Sequence, residues 1–366
     1  MIKFLDLAAQ YESIKPKIDA AIANVIRDTA FIGGKYVKEF EQQFADYVGV
    51  AHCIGVANGT DALEIAIEAA QLPPGSEIIV PGNSFIASSE AVTRFGHNVV
   101  FADVDHGCYT LTAETVRSKI TENTKAIIAV HLYGHPCDMD ALLEICNEYG
   151  LILIEDCAQA HGAQYNGRSV GTFGHFAAFS FYPGKNLGAY GDAGAITTQN
   201  EGLAIQARKI ANHGRIAKYD HEFEGRNSRL DGLQAAILSA KLPYLPRWTQ
   251  RRIEIADYYL DNLAGIQGLI LPERKPWARQ VYHLFVVRTS QRDELKEFLA
   301  EHGIETGVHY PIALPKLNAY SYMGAPNTST FYNQTDRTLL SLPIGEHLSL
   351  KSAHEVVVAV RGFFVK

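Results

Sequence analysis

Apolar residues recur along this chain in two patterns, and the switch between them sets the expected elements. Residues 14–29 and 34–48 are expected to be helices. In the second, Phe40, Phe44 and Tyr47 recur at spacings of four and three, which draws an apolar stripe down one face. From Cys53 onward, short continuous apolar runs alternate with longer amphipathic ones. Runs at 53–57, 77–80, 99–102, 126–132, 151–154, 176–179 and 195–198 predict strands. Segments at 61–70, 84–95, 112–120, 139–149 and 202–212 predict the helices among them. The apolar runs do not alternate with polar residues, so both faces of each strand are expected to be buried. Strands alternating with helices then predict a parallel sheet covered on both sides.

Residues 213–229 are polar and contain glycine, and read as a long loop, a feature often functional inside a compact domain. An amphipathic helix is expected over 230–242, a break at Pro243 and Pro246, and a further helix over 248–263. Pro272 and Pro276 mark another interruption. The remainder predicts strands at 282–287 and 304–308, and helices at 293–301 and 351–363. The expected architecture is α/β: a large domain over 1–245 with a mostly parallel sheet and an N-terminal helical segment, and a smaller C-terminal α/β domain over 246–366.

Composition narrows the function class. The chain has 366 residues, 47% hydrophobic and 20% charged, as in ordinary soluble globular proteins. Its formal charge of −7 points away from a nucleic-acid or anionic-membrane partner. An anionic substrate would need locally placed cations. Five cysteines with no CxxC pair suggest neither a disulfide framework nor a zinc site, which fits a reducing cytoplasm. The first residues carry Asp6 and Glu12 and lack a signal-peptide core, and no run approaches the ~20 apolar residues of a spanning helix.

Open α/β sheets gather function at the carboxyl ends of their strands, and several polar groups fall there. Asn58-Gly59-Thr60 stands between a strand and a helix, where it could hold a phosphate or simply cap the helix. Asp156 follows the run 151–154; a carboxylate there could pair with a protonated ring nitrogen or serve as a structural ion-pair partner. Gln159 and His161 could line the same pocket. Phe85 could cover a flat ring or belong to the core. Ser180 precedes Lys185, which lies among Gly184, Gly188, Gly191 and Gly194. A desolvated lysine can hold a carbonyl compound, whereas a solvated one is only a loop residue. Arg215, Lys218, Tyr219, His221, Arg226, Asn227 and Arg229 supply the loop at 213–229 with cations that could hold a diphosphate. A phosphate turn, a stacking aromatic, a ring-pairing carboxylate and an amine together call for one cofactor with a phosphate, a pyridine ring and an aldehyde. Pyridoxal 5′-phosphate has all three.

The segments Phe4–Leu7, Val56–Leu63, Val130–Gly134, Glu155–Ala163, Ser180–Gly188, Asn227–Asp231 and Val308–Pro311 carry a resemblance over nearly the whole chain. The sequence resembles the nucleotide-sugar aminotransferases of the DegT/DnrJ/EryC1/StrS family. That resemblance implies an aspartate-aminotransferase-like fold (fold type I of pyridoxal-phosphate enzymes). It implies that Lys185 forms the internal aldimine, Asp156 pairs with the pyridine nitrogen and Gln159 sits at the ring's edge. Gly59, Thr60 and Ser180 would bind the phosphate, and Phe85 would stack on the ring. Asn227 would reach the phosphate of a neighbouring subunit, which implies a homodimer with shared sites. Tyr182, Arg215, Lys218, Tyr219, Arg229, His309 and Tyr310 are the candidate substrate contacts, and no metal is expected.

Family members that dehydrate their sugar carry histidine at the lysine position, so Lys185 favours amino transfer. The flank Tyr-Pro-Gly-Lys-Asn-Leu-Gly looks like the branch acting on 3-keto sugars. The implied reaction moves an amino group from L-glutamate to a dTDP-linked 3-keto-6-deoxyhexose, in cytoplasmic deoxyamino-sugar biosynthesis for glycans such as an O-antigen. The alternatives are a non-catalytic or regulatory pyridoxal-phosphate-binding protein and a pyridoxal-phosphate-dependent sugar dehydratase. One departure stands out. The family often reads His-Tyr-Pro-Ile-Pro-x-His, whereas here Ala313 and Pro315 occupy the last part of His309–Pro315 and the second histidine is absent.

Overall fold

The computed structural model describes residues 1–365. Two helices, α1 (Leu7–Arg27) and α2 (Gly34–Val48), precede the sheet. Asp6 caps α1 by accepting a hydrogen bond from the Ala9 N–H, so this helix starts at Leu7 instead of residue 14 and carries Pro16 inside it. The stripe on α2 is buried. Phe40 and Phe44 meet Phe181 edge-on, with ring centroids 5.3 and 5.1 Å apart.

The next strands are β1 (His52–Val56), β2 (Glu77–Pro81), β3 (Asn98–Ala102), β4 (Thr124–Val130) and β5 (Ile152–Asp156). Between them lie α3 (Gly59–Ala69), α4 (Ala87–Thr93), α5 (Ala113–Arg117) and α6 (Met139–Tyr149). Two short strands, β6 (Gln164–Tyr165) and β7 (Arg168–Ser169), lead to β8 (Phe176–Ser180) and β9 (Gly194–Thr198). Helices α7 (Glu201–Ala211) and α8 (Gly232–Lys241) complete this part.

Seven strands form one sheet in the order β1-β9-β8-β5-β4-β2-β3. From β8 to β3 all neighbours are parallel. β9 is antiparallel to both β8 and β1, so the sheet is mostly parallel, as expected, and 195–198 is where it departs. A parallel return needs a crossover of a dozen or more residues, usually helical. Residues 181–193 contain no helix and double straight back. On β8, Phe176 and Ala178 enter the core on one face while Ala177 and Phe179 enter the core on the other. Burial on both faces is why these strands show no alternation in sequence.

Pairing registers bring the strand ends together. Val130 lies opposite Asp156 and Asp156 opposite Ala178, while Ser180 and Val56 both face Gly194. The C-terminal ends of β1, β4, β5 and β8 thus converge on one rim.

Pro243 and Pro246 do not break the chain as expected. A 3-10 turn at Leu242–Tyr244 joins α8 to α9 (Leu245–Leu263), with each proline near the start of its helical segment. There a missing N–H costs no intrahelical bond. Beyond α9 come β10 (Ala278–Arg279), β11 (Phe285–Arg288), α10 (Arg292–Glu301), α11 (Phe331–Thr335), β12 (Leu339–Leu342) and α12 (Leu350–Phe364). Tyr259, Phe285, Leu340 and Val356 belong to a core of their own here. The strand expected at 304–308 is absent. That segment makes only single bridges, Ile304 to Ile2 and Gly307 to Ser341, and His309 folds back against Gly307. The partner of β11 is instead Leu339–Leu342, antiparallel. All five cysteines are buried and unpaired, and among the described residues no helix is long and apolar enough to cross a membrane.

Candidate active site

A cavity of about 730 Å³ opens at the converged strand ends. It brings together Gly59, Thr60, Phe85, Asp156, Gln159, Ser180, Tyr182, Lys185 and Tyr310. α3 points its N-terminus into this space. Asn58 caps the helix, its side chain accepting from the Asp61 N–H at 2.8 Å, so for Asn58 the capping role holds. The Gly59 and Thr60 N–H groups have no acceptor among the described residues. A Cβ on Gly59 would lie 2.6 Å from the Ser180 Cβ; only glycine lets the helix start so close to the end of β8. Free N–H groups at a helix N-terminus, with the Thr60 and Ser180 hydroxyls beside them, make an anion site.

Asp156 ends β5, buried, with two hydrogen bonds fixing its carboxylate. Oδ1 accepts from the Ala158 N–H at 3.1 Å and Oδ2 from the Ser88 hydroxyl at 2.7 Å. Gln159 is held at both ends of its amide: Oε1 accepts from the Tyr133 N–H at 2.7 Å, and Nε2 donates to the Tyr310 hydroxyl at 3.0 Å. The Tyr310 ring lies 5.8 Å from that of Phe85, whose own ring is 53% exposed and free to face a ligand.

Lys185 sits in the tight turn after β8. Its N–H donates to the Tyr182 carbonyl at 2.8 Å. Gly188 closes the turn, and a Cβ there would lie 2.2 Å from the Pro183 carbonyl oxygen. No hydrogen bond or ion pair holds Lys185 Nζ among the described residues. Burial drags its pKa down to about 8, with the Asp156 charge opposing. The amine therefore gives up its proton far more readily than an ordinary lysine, although most of it is still charged at neutral pH. Beneath the turn, the fully buried Lys241 donates to the Gly188 carbonyl at 2.7 Å and lies 4.2 Å from the Tyr190 ring centroid.

A second cavity of about 230 Å³ lies against Lys185, Tyr182 and Tyr310, with His283, His309 and Arg252 in its wall. Burial, with the Lys185 charge adding, holds the His309 imidazole down at about 4, so it stays neutral. His309 Nδ1 is 2.9 Å from the Ser341 hydroxyl. Two residues before Pro315, which stands where the motif has its second histidine, Ala313 is buried and its N–H donates to Asp336.

Some expected residues lie elsewhere. His161 does not line either cavity; it is buried against Phe179 and Phe181. Burial, with Lys185 adding, lowers its pKa to about 3. Asn227, Arg215, Lys218, Tyr219 and Arg229 also stand outside both cavities. Arg226 is committed within the chain to Glu64 at 2.6 Å and Glu68 at 2.5 Å, so it is not free for a diphosphate. Among the residues lining the large cavity, Lys185 is the only cation, against Asp61, Asp156 and Asp192.

Ser88 and Tyr133 were not foreseen, because each acts on a residue distant in sequence, and Ser84 was missed with them because it acts through Ser88. Glu155 was also passed over. It accepts from His131 Nε2 at 3.0 Å and from the N–H groups of Gly171, Phe173 and Gly174. His131 Nδ1 accepts from the Cys137 N–H, which places the ring proton on Nε2. Cys157 lies within reach of the same pair, but burial pushes its thiol pKa well up and keeps it protonated. With the carboxylate saturated by donors, this trio is a structural tie from β5 to the 171–174 turn.

The model of the DegT/DnrJ/EryC1/StrS aminotransferase family matches residues 12–361. The chain belongs to that family. This aminotransferase is 45% identical over 361 residues to the dTDP-3-amino-3,4,6-trideoxy-alpha-D-glucose transaminase of Streptomyces venezuelae, covering 98% of this chain and 95% of that one. It is also 45% identical over 363 residues to the dTDP-3-amino-3,6-dideoxy-alpha-D-galactopyranose transaminase of Aneurinibacillus thermoaerophilus, covering 99% of each. The crystal structure of S. venezuelae DesV in complex with a ketimine intermediate superposes with a TM-score of 0.97 at 44% identity, over 100% of this chain and 99% of that one. The aminotransferase has the aspartate-aminotransferase-like fold and uses pyridoxal 5′-phosphate.

Proposed function

We propose that this aminotransferase moves an amino group from L-glutamate to a nucleotide-linked keto sugar, with a dTDP-linked 3-keto-6-deoxyhexose as acceptor. The observation that carries this reading is one cavity shared by an unpartnered amine of lowered pKa, a buried carboxylate and a free helix N-terminus. These match the aldehyde, pyridine nitrogen and phosphate of pyridoxal phosphate, so the residues fit the cofactor. When bound, the cofactor supplies an electron sink that lets the donor's α-carbon lose a proton. Lys185 would hold the aldehyde carbon, and its free Nζ would take the donor's α-proton. Asp156 pairs with the pyridine nitrogen. Gln159 lies at the ring's edge and Phe85 covers its face. Gly59, Thr60 and Ser180 bind the phosphate.

The finer assignment draws on the two dTDP-3-amino-sugar relatives and on the Tyr182–Gly188 flank. Tyr182, His309 and Tyr310 contact the sugar. Asn227, Arg215, Lys218, Tyr219 and Arg229 serve the site of a second subunit in a cytoplasmic homodimer. Each chain comprises a large domain over 1–245 and a small one over 246–366.

The test uses purified holoenzyme. L-Glutamate should bleach the cofactor's visible band, and a panel of dTDP- and UDP-linked 3-keto and 4-keto sugars should then restore it. Amination at C3 of the dTDP sugar is expected. Amination of only 4-keto or only UDP-linked sugars would overturn the acceptor, and no spectral change with any amino acid would favour a non-catalytic binder.

A further inference from the structure

The Asp156 carboxylate is controlled from across the cavity by two serines. Ser88, in the first turn of α4, is 1% exposed and donates its hydroxyl to Asp156 Oδ2 at 2.7 Å. Its other hydrogen-bond partner is the Ser84 hydroxyl, also 2.7 Å away, and Ser84 is 3% exposed. Asp156 lies 68 residues along the chain from Ser88, so this contact exists only because α4 packs over the end of β5. The remaining donor to the carboxylate is the Ala158 N–H, on Oδ1. A carboxylate on a single χ2 bond can rotate. Donors fixed on opposite oxygens, one from the chain beyond β5 and one from α4, leave it a single orientation.

We propose that Ser88 is a positioning residue for the transamination, with Ser84 fixing the direction of its hydroxyl. This rests on the assignment of Asp156 to the pyridine nitrogen. A hydroxyl donor to Oδ2 does two things there. It holds the carboxylate plane toward the ring. It also withdraws basicity from the oxygens, so that the proton shared with the ring stays on nitrogen instead of passing to Asp156. Without it, Asp156 turns and draws the proton from the ring, and the electron sink weakens. Ser84 accounts for the geometry: by binding the Ser88 oxygen it leaves the Ser88 proton aimed at Asp156.

The experiment compares Ser88→Ala, Ser88→Thr and Ser84→Ala holoenzymes with the unaltered protein. Cofactor labelled with 15N in the ring is used. In Ser88→Ala, kcat for the glutamate half-reaction should fall on the order of tenfold to a hundredfold. KM should move far less, because neither serine binds the donor. The 15N resonance of the resting holoenzyme should shift toward the unprotonated position, a change that loss of packing alone would not produce. Ser88→Thr keeps the hydroxyl and should restore both readouts, and Ser84→Ala should give a smaller shift in the same direction. An unchanged 15N resonance and kcat in Ser88→Ala, with cofactor bound, would overturn the proposal. If instead the unaltered holoenzyme shows an unprotonated ring nitrogen, the Asp156 assignment itself fails and the role of Ser88 falls with it. Thermal unfolding of each variant checks that it folds.

Discussion

Lys185 has to be uncharged to do its work, and its surroundings ease the loss of its proton. Burial in the turn after β8 brings its pKa to about 8, against an ordinary 10.5. In cofactor-free protein the rate of capture of pyridoxal phosphate should therefore rise with pH and level off above about 8; stopped-flow absorbance measures it. A rate still climbing toward pH 10 would mean an ordinary lysine. The sign for stability follows. The folded amine releases its proton below the unfolded one, so between about 8 and 10.5 the unfolded chain binds more protons. The contribution of Lys185 thus grows as pH rises through that window. Lys241, also held at about 8 by burial with Glu346 opposing, acts in the same direction. Lys185→Ala should abolish turnover in a coupled glutamate assay while leaving the fold intact. Lys185 and Asp156 could be found in the sequence because each directly follows an apolar run and so lands on the functional rim. Ser88 could not, since a serine within a helix looks the same whether it faces solvent or a carboxylate. Arg226 was misjudged for a related reason: its partners Glu64 and Glu68 lie on α3, and no local pattern reveals that pairing.

At the scale of elements, the site depends on how closely three backbones approach. The start of α3 rests on Ser180, the turn carrying Lys185 folds on itself at Gly188, and α8 clamps that turn from below. On α8, Gln234 accepts from the Tyr190 N–H at 2.9 Å and Lys241 donates to the Gly188 carbonyl at 2.7 Å. Gly188→Ala would force a Cβ to within 2.2 Å of the Pro183 oxygen, so the turn must open. The expected cost is about 1–3 kcal/mol of stability, as for other overpacked sites, with a larger loss of cofactor affinity because Lys185 moves. Chemical denaturation and cofactor titration separate the two. An unchanged affinity would show that the turn does not fix Lys185. The elements themselves were largely legible, since the strands of the central sheet appear as unbroken apolar runs. Their directions were not. β9 has the same apolar character as its parallel neighbours, and only the helix-free length of 181–193 hints that the chain doubles back. In the C-terminal part, Leu339–Leu342 is only four residues long and interrupted by Ser341, and 304–308 has more strand character than this segment that actually pairs with β11.

At the scale of the whole molecule, one chain does not supply what the proposed ligands need. Lys185 is the only cation around the large cavity, and three aspartates share it, yet a cofactor phosphate and a sugar diphosphate must both be held nearby. Helix N–H groups can take the first; the second requires cations from outside the cavity lining. The chain does carry spare ones. Arg215, Lys218 and Arg229 belong to the segment 213–229, which stands outside its own cavity with Asn227 exposed, as a group meant for another subunit would. In the proposed twofold dimer the same segment of each chain would lie over the other's site. Complementation tests this directly. Lys185→Ala kills the site that its own chain builds, while Asn227→Asp sets a carboxylate against the phosphate held by its neighbour. Each homodimer should be inactive or nearly so. In a mixed dimer one site combines an intact Lys185 with an intact Asn227, and the other carries both defects. Co-refolding equal amounts should give half mixed dimers with one good site each, hence about a quarter of the unaltered activity. If both residues instead served the same chain's site, every site in the mixture would carry one defect and no activity would return. Recovery near a quarter, seen only after subunit exchange, is the expected result.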